Sequence, residues 1–233
     1  MPLSDGWRKT FPYEDTRQVV AFMKETWNDL VARKVPKFNP SSHEPKLTQF
    51  LSSVLGARAA EAGLTGQFTS EGVEGTANLE TGELENAGRT DIHYFSDRAK
   101  VDLTFEFKKL KDRRDSRLAY YGPEGMHRFL NGKYSVDKHL GLMVGLIAAD
   151  ADACVNGLKL SIARQHHGGG DLHMSPDADG TYIHEPSREL PGLVQFDTEH
   201  SRAIYGNQIP IVLCHLFLLY GDAAPGNPDV NKV

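Results

Sequence analysis

Cysteine is nearly absent from this chain of 233 residues: only Cys154 and Cys214 occur, far apart in sequence. A disulfide framework is thereby excluded, and without a recognisable secretory segment the expected compartment is the reducing cytoplasm. Long apolar runs are lacking too. The longest, Ile209 to Tyr220, is interrupted by His215. It is too short to span a bilayer as a helix, so it reads as a buried strand and no membrane role is expected. Basic residues are not in excess, and the formal net charge is −5. Contact with nucleic acid would therefore rest on a local positive patch rather than on the whole surface. Internal repeats and long low-complexity tracts are missing, which argues against a solenoid. The run Gly168-Gly169-Gly170 lacks the Lys-Ser/Thr of a phosphate loop, and no Gly-x-Ser-x-Gly elbow occurs. Nucleotide hydrolysis and elbow-type serine chemistry thus have no support.

What the chain does have is a period-two pattern that carries charge. Val101, Leu103, Phe105 and Phe107 alternate with Asp102, Thr104, Glu106 and Lys108, as in a strand with one apolar face. Residues i and i+2 of a strand share a face, so Glu106 and Lys108 are neighbours roughly 7 Å apart along it. Arg89 to Phe95 reads as a preceding strand, with Ser96 to Lys100 as the polar turn of a hairpin. Pairing the two brings Asp91 beside Glu106. Two carboxylates offer hard oxygen ligands to Mg²⁺, which keeps several waters and bridges to phosphate oxygens. Such an ion lowers the pKa of its water and stabilises charge developing on phosphate. Lys108, kept protonated by the adjacent acids, would orient that water or offset the phosphate charge. The plain alternative is a solvent-facing ion pair on an amphipathic strand, which contributes little. Asp102 shares the polar face and competes with Asp91 for the metal role, while His93 has the parity of Asp91 and is a possible neighbour of the site.

Asp91 followed by Glu106-Phe107-Lys108 resembles the signature of the PD-(D/E)xK nuclease superfamily. Asp91 matches the family's first acid and Glu106 and Lys108 its E-x-K; Thr90 stands where a Pro often precedes that acid. The family's restriction-endonuclease-like core runs helix, three antiparallel strands, helix, strand, and the chain can be read in that order from about Glu44 to Asp150. The resemblance implies a further acid on the first core helix, where Glu44 sits. It also implies that Asp91, Glu106, Glu44 and the backbone carbonyl of Phe107 surround the metal, which would be Mg²⁺ with Mn²⁺ as a substitute. Without the resemblance, Glu44 is simply a first-turn acid favoured by the helix macrodipole.

Lys109, Lys111, Arg113, Arg114 and Arg117 form a cationic connection after the strand, and Arg128 lies on a helix read from Glu124 to Gly132. These six are the candidate nucleic-acid contacts, acting mainly on phosphates; a solvated charged turn is the ordinary reading of such a run. Lys133 and Tyr134 are further phosphate or stacking candidates. Gln165 to His173 holds several histidines without a Cys pair and reads as a surface connection rather than a zinc site. Thr16 to Lys34 is an amphipathic helix, broken by Pro36 and Pro40. Leu140 to Ala149 reads as a buried strand and Asp150 to Arg164 as a helix. Leu193 to Leu219 reads as a hairpin turning near Gly206-Asn207, with His200 and Arg202 as accessories.

The expectation is one α/β domain with a mixed central sheet flanked by helices and a restriction-endonuclease-like core. Residues 1–40 would form a helical extension, about 44–150 the catalytic core, and 151–233 a helix-and-hairpin elaboration. The expected activity is metal-dependent hydrolysis of phosphodiester bonds, with DNA preferred over RNA as substrate. By resemblance the setting is prokaryotic antiviral defence or DNA repair. The acidic remainder suits a larger protein partner such as a helicase or ATPase, and a homodimer is the other association considered. The rival reading is a catalytically silent nucleic-acid-binding or assembly subunit that keeps the fold for its shape.

Overall fold

Alternation and apolar runs in the sequence translate into a sheet with helices on both faces. The computed structural model describes residues 6–70, 73–77, 84–167, 170–177 and 179–221. Two helices come first, α1 (Tyr13–Ala32) and α2 (Glu44–Arg58), followed by strands β1 (Gln67–Ser70), β2 (Val73–Ala77), β3 (Leu84–Arg89), β4 (Ile92–Ser96) and β5 (Val101–Leu110). After helices α3 (Arg114–Tyr121) and α4 (His127–Leu130) come β6 (Leu140–Ile147), α5 (Ala151–His167), β7 (Ile183–His184), β8 (Phe196–His200) and β9 (Ile211–Leu219).

Seven strands form one mixed sheet in the order β1-β4-β5-β6-β9-β8-β7, and β2 and β3 pair separately. β1, β4 and β5 are antiparallel, β5, β6 and β9 are parallel, and β8 and β7 return antiparallel. All eight residues of the central strand β6 are buried, as a parallel strand covered on both faces requires. Strand parity then divides the core. Phe105 and Phe107 of β5, Leu142 and Val144 of β6 and Leu216 of β9 join Trp27 of α1 and Leu51 of α2 in one apolar layer. Leu110, Met143, Ile147 and Leu213 join Tyr120, Phe129 and Leu158 in the other. Trp27 also donates its indole N–H to Leu219 O at 2.7 Å, so the N-terminal helix is tied to the end of β9. Among the described residues, no helix is long and apolar enough to cross a membrane.

Several local expectations are corrected. The strand expected over Arg89 to Phe95 is two: β3 ends at Arg89, the chain bends at Asp91, and β4 starts at Ile92. Ile92 pairs with Phe105, and beyond that pair the Phe107 N–H donates to the Asp91 carboxylate at 2.8 Å. A side chain has taken the place of the backbone partner. The cationic connection is shortened to residues 111–113, because β5 continues to Leu110 and α3 begins at Arg114. Ser116 makes that turn: its hydroxyl donates to Lys109 O and accepts from Lys111 N–H, both at 2.9 Å. The helix expected over Glu124 to Gly132 is confined to His127–Leu130. Gly122 and Gly125 make a turn before it, and a Cβ on Gly125 would lie 1.9 Å from Tyr120 O. Helix α5 runs through His167, so Gln165, His166 and His167 are helical rather than part of a surface connection; Gly168 and Gly169 lie outside the described residues. The late hairpin is present as β8 and β9, with the left-handed turn at Gly206 (φ 79°).

Candidate active site

Parity puts Glu106 and Lys108 on the β5 face opposite Phe105 and Phe107, towards α3 and α4. Glu106 is fully buried, 0 % exposed. Lys108 folds back along its own strand, donating to Glu106 Oε1 at 2.6 Å and to Phe107 O at 2.9 Å. Its Nζ also lies 3.7 Å from Glu44 Oε1. Glu44 opens α2, where Pro45 occupies the first turn without wasting a donor, and its Oε2 accepts the Lys109 N–H at 2.7 Å. Asp91, held by the Phe107 N–H, completes the group. Glu44, Asp91, Glu106 and Lys108 therefore meet at the far end of β5, each fixed to the backbone or to a neighbour in the group.

Two further residues belong to this cluster that strand parity did not bring there. Arg128 Nη1 lies 3.4 Å from Glu106 Oε1 and donates to the Tyr134 hydroxyl at 2.5 Å, and Nη2 pairs with Glu124. Arg128, expected on nucleic acid, is committed to the acids instead. Tyr134 is buried, which removes it as a stacking platform.

Charge in this pocket is crowded. Burial, and then the Asp91 charge, push the Glu106 carboxyl up to about 8 against the pull of Lys108 and Arg128. Burial likewise raises Asp91 and Glu44, with Lys108 opposing in both. Burial works against the Lys108 ammonium, but Glu106, Asp91 and Glu44 outweigh it and the group is held protonated. Glu106 Oε2 is buried and, with both acids ionised, has no hydrogen-bond donor among the described residues. A proton shared with Asp91 can satisfy it, and so can a cation.

Among the described residues, no trio of His, Cys, Asp and Glu side chains lies close enough to hold a metal ion unaided. Mg²⁺ does not need one, because it binds through one or two carboxylates and completes its shell with waters and phosphate. Asp91, the unsatisfied Glu106 Oε2 and the Phe107 carbonyl fit that donor set; Glu44, held by Lys109 N–H and Lys108, lies next to it.

The other sequence candidates divide. Lys109 donates its ammonium to the carbonyls of Pro40 and Ser42, which ties the segment before α2 to the sheet. Arg113 pairs with Asp115, and Arg117 with Asp112. Lys111 and Arg114 are exposed and carry no ion pair among the described residues. Asp102 is bound to His93 at 2.8 Å and to Lys138 at 3.0 Å, about 13 Å along the strand from Glu106 by the usual rise. His200 and Arg202 are buried: His200 bonds Leu172 O and Thr198, and Arg202 donates to the carbonyls of Ile209, Ser135 and Lys138.

No family model, no curated protein and no solved structure matches this chain.

Proposed function

We propose that the protein is a metal-dependent nuclease of the restriction-endonuclease-like type that hydrolyses phosphodiester bonds in DNA. One observation carries this reading: a buried, unsatisfied carboxylate oxygen of Glu106 beside Asp91, with a protonated Lys108 against the same residue. The order of α2, the antiparallel strands β1, β4 and β5, the α3–α4 segment and the parallel strand β6 supports the same fold type. Asp91, Glu106 and the Phe107 carbonyl would hold Mg²⁺ or Mn²⁺. When bound, the ion would supply an acidified water and neutralise charge on the scissile phosphate. Lys108 would leave Phe107 O to place its ammonium on that water or phosphate, and Glu44 would hold Lys108 in range. Arg128 keeps Glu106 in position, a supporting contact of the kind that orients metal ligands. Exposed Lys111 and Arg114 are the remaining phosphate contacts at the end of β5.

A second reading has its own observation. The Lys108 ammonium already sits between Glu106 Oε1 and Phe107 O, where a cation would otherwise lie, and a permanent salt bridge there would make a silent binding or assembly subunit. Cleavage of supercoiled and linear DNA with Mg²⁺ or Mn²⁺ separates the two. The nuclease reading expects metal-dependent cleavage, reduced at least about 100-fold in Asp91→Ala and Lys108→Ala. Cleavage that survives both substitutions, or intact protein that binds DNA without cutting it, would sink it.

A further inference from the structure

Beside the carboxylate cluster, on the other side of the α2 N-terminus, lies a pocket of about 550 Å³. That is within the roughly 300–1,000 Å³ of small-molecule sites. Its floor is apolar, formed by Phe38, Leu47 and Phe50, and its rim carries Lys37, His43 and Lys46. Lys46, Leu47 and Phe50 fall at helical spacings and share one face of α2, with the N-cap His43 beside them, while Glu44 takes the face towards β5. Phe50 is 41 % exposed and stands 5.7 Å from Phe38, ring centre to ring centre. Lys37 and Lys46 are exposed and have no carboxylate partner among the described residues. Between Arg33 and Lys46 the chain has four Lys and Arg residues and one acid, Glu44, within a molecule of net charge −5. The wall is preformed, because Lys109 clamps Pro40 and Ser42 from the sheet side.

An aromatic face flanked by unpaired ammonium groups complements a base attached to its phosphates. A base can enter a pocket of this shape only when it is neither paired nor stacked in a duplex. We infer that this pocket takes an unpaired nucleotide next to the scissile phosphate, so that the substrate is single-stranded DNA or a duplex with a frayed or flapped end. The inference rests on the nuclease reading only for the role of the adjacent acids. Phe50 would stack on the base, and Lys37 and Lys46 would hold the flanking phosphates. Glu44 follows His43 in the chain, so a nucleotide held here would lie beside the segment that carries the first of the acids.

The test is fluorescence anisotropy of the full chain in EDTA, with a labelled deoxythymidine dodecamer and a blunt duplex of equal length as probes. The expected result is at least about tenfold preference for the single strand, and a loss of roughly 5- to 150-fold in Phe50→Ala. The double variant Lys37→Ala/Lys46→Ala, at exposed positions where folding is not at stake, should weaken binding and flatten its salt dependence by roughly one unit of slope or more. Equal affinity for strand and duplex, or undiminished single-strand binding in both pocket variants, would overturn the inference. Cleavage of the same strand with Mg²⁺ separates the two failures. Pocket-dependent binding without cleavage keeps the pocket and removes the nuclease; cleavage with binding insensitive to Phe50 and the lysines does the reverse.

Discussion

At the scale of single residues, Glu106 is the centre on which the other groups act. Lys108 and Arg128 both approach its Oε1 while Oε2 has no hydrogen-bond donor among the described residues, so the protein's own cations serve one oxygen and not the other. Arg128 therefore differs in kind from the exposed Arg114, although the sequence offers both as phosphate contacts. Arg128→Ala should lower cleavage by roughly 10- to 100-fold, as loss of a supporting contact to a metal ligand does, with DNA affinity nearly unchanged. Arg114→Ala should instead weaken DNA binding and reduce its salt slope by about one unit, leaving turnover at saturating DNA intact. The same shift for both variants would mean that Arg128 is an ordinary phosphate contact. Glu106 and Lys108 were legible in the sequence because period-two parity is a local rule, whereas Asp91, at hairpin distance, sits at a bend and reaches β5 through its side chain. Arg128 and Tyr134 were not, because what brings them to Glu106 is the docking of α4 against the sheet, and nothing in the local pattern encodes that approach.

At the scale of elements, β6 ties the site to the core. Gly141 lacks a side chain where the Phe129 ring lies: an added Cβ would fall 2.5 Å from Phe129 Cε1 and 3.1 Å from Leu213 Cδ2. Phe129 is buried and adjoins Arg128 on α4, so crowding at this strand position displaces the short helix that carries Arg128. Gly141→Ala should cost about 1–3 kcal/mol, as overfilling of a tight core does, and should lower cleavage together with melting temperature. An unchanged melting temperature in calorimetry would show that α4 yields freely and has no fixed seat. The buried runs of β6 and β9 and the amphipathic α1 were readable because each is long and continuously or periodically apolar. Helix α3 was hidden by its composition: Arg114, Asp115 and Arg117 give a charged stretch, and of its residues only Ser116 and Tyr120 are buried. β7, two residues long, offers no period to detect.

At the scale of the whole molecule, two buried sets of ionisable groups pull stability in opposite directions with pH. On the same face of the sheet as Glu106, Tyr120, His215, Thr198 and His200 form a continuous hydrogen-bonded chain ending on Leu172 O. Burial lowers His200 from 6.5 to about 4, and lowers His215 as well. The folded state thus holds these rings neutral while the unfolded chain takes up protons. Their stabilisation is complete above about 6.5 and is lost as pH falls towards 4, by about 3 kcal/mol from His200 alone. Glu106 acts on the other limb. With its folded value raised from 4.5 to about 8, its contribution is complete below about 4.5 and is lost as pH rises through 8, because the folded state must then carry the second charge beside Asp91. Metal-free protein should accordingly be most stable between these limits. Mg²⁺ should restore stability on the alkaline side, where it takes the place of the lost proton, and should leave the acid side unchanged. Urea unfolding from pH 4 to 8.5, with EDTA and with Mg²⁺, measures both limbs. His200→Gln should flatten only the acid limb and Glu106→Gln only the alkaline one. If Mg²⁺ shifted stability equally at all pH values, or if Glu106→Gln left the alkaline limb in place, the ion would be binding somewhere other than the Asp91–Glu106 pair.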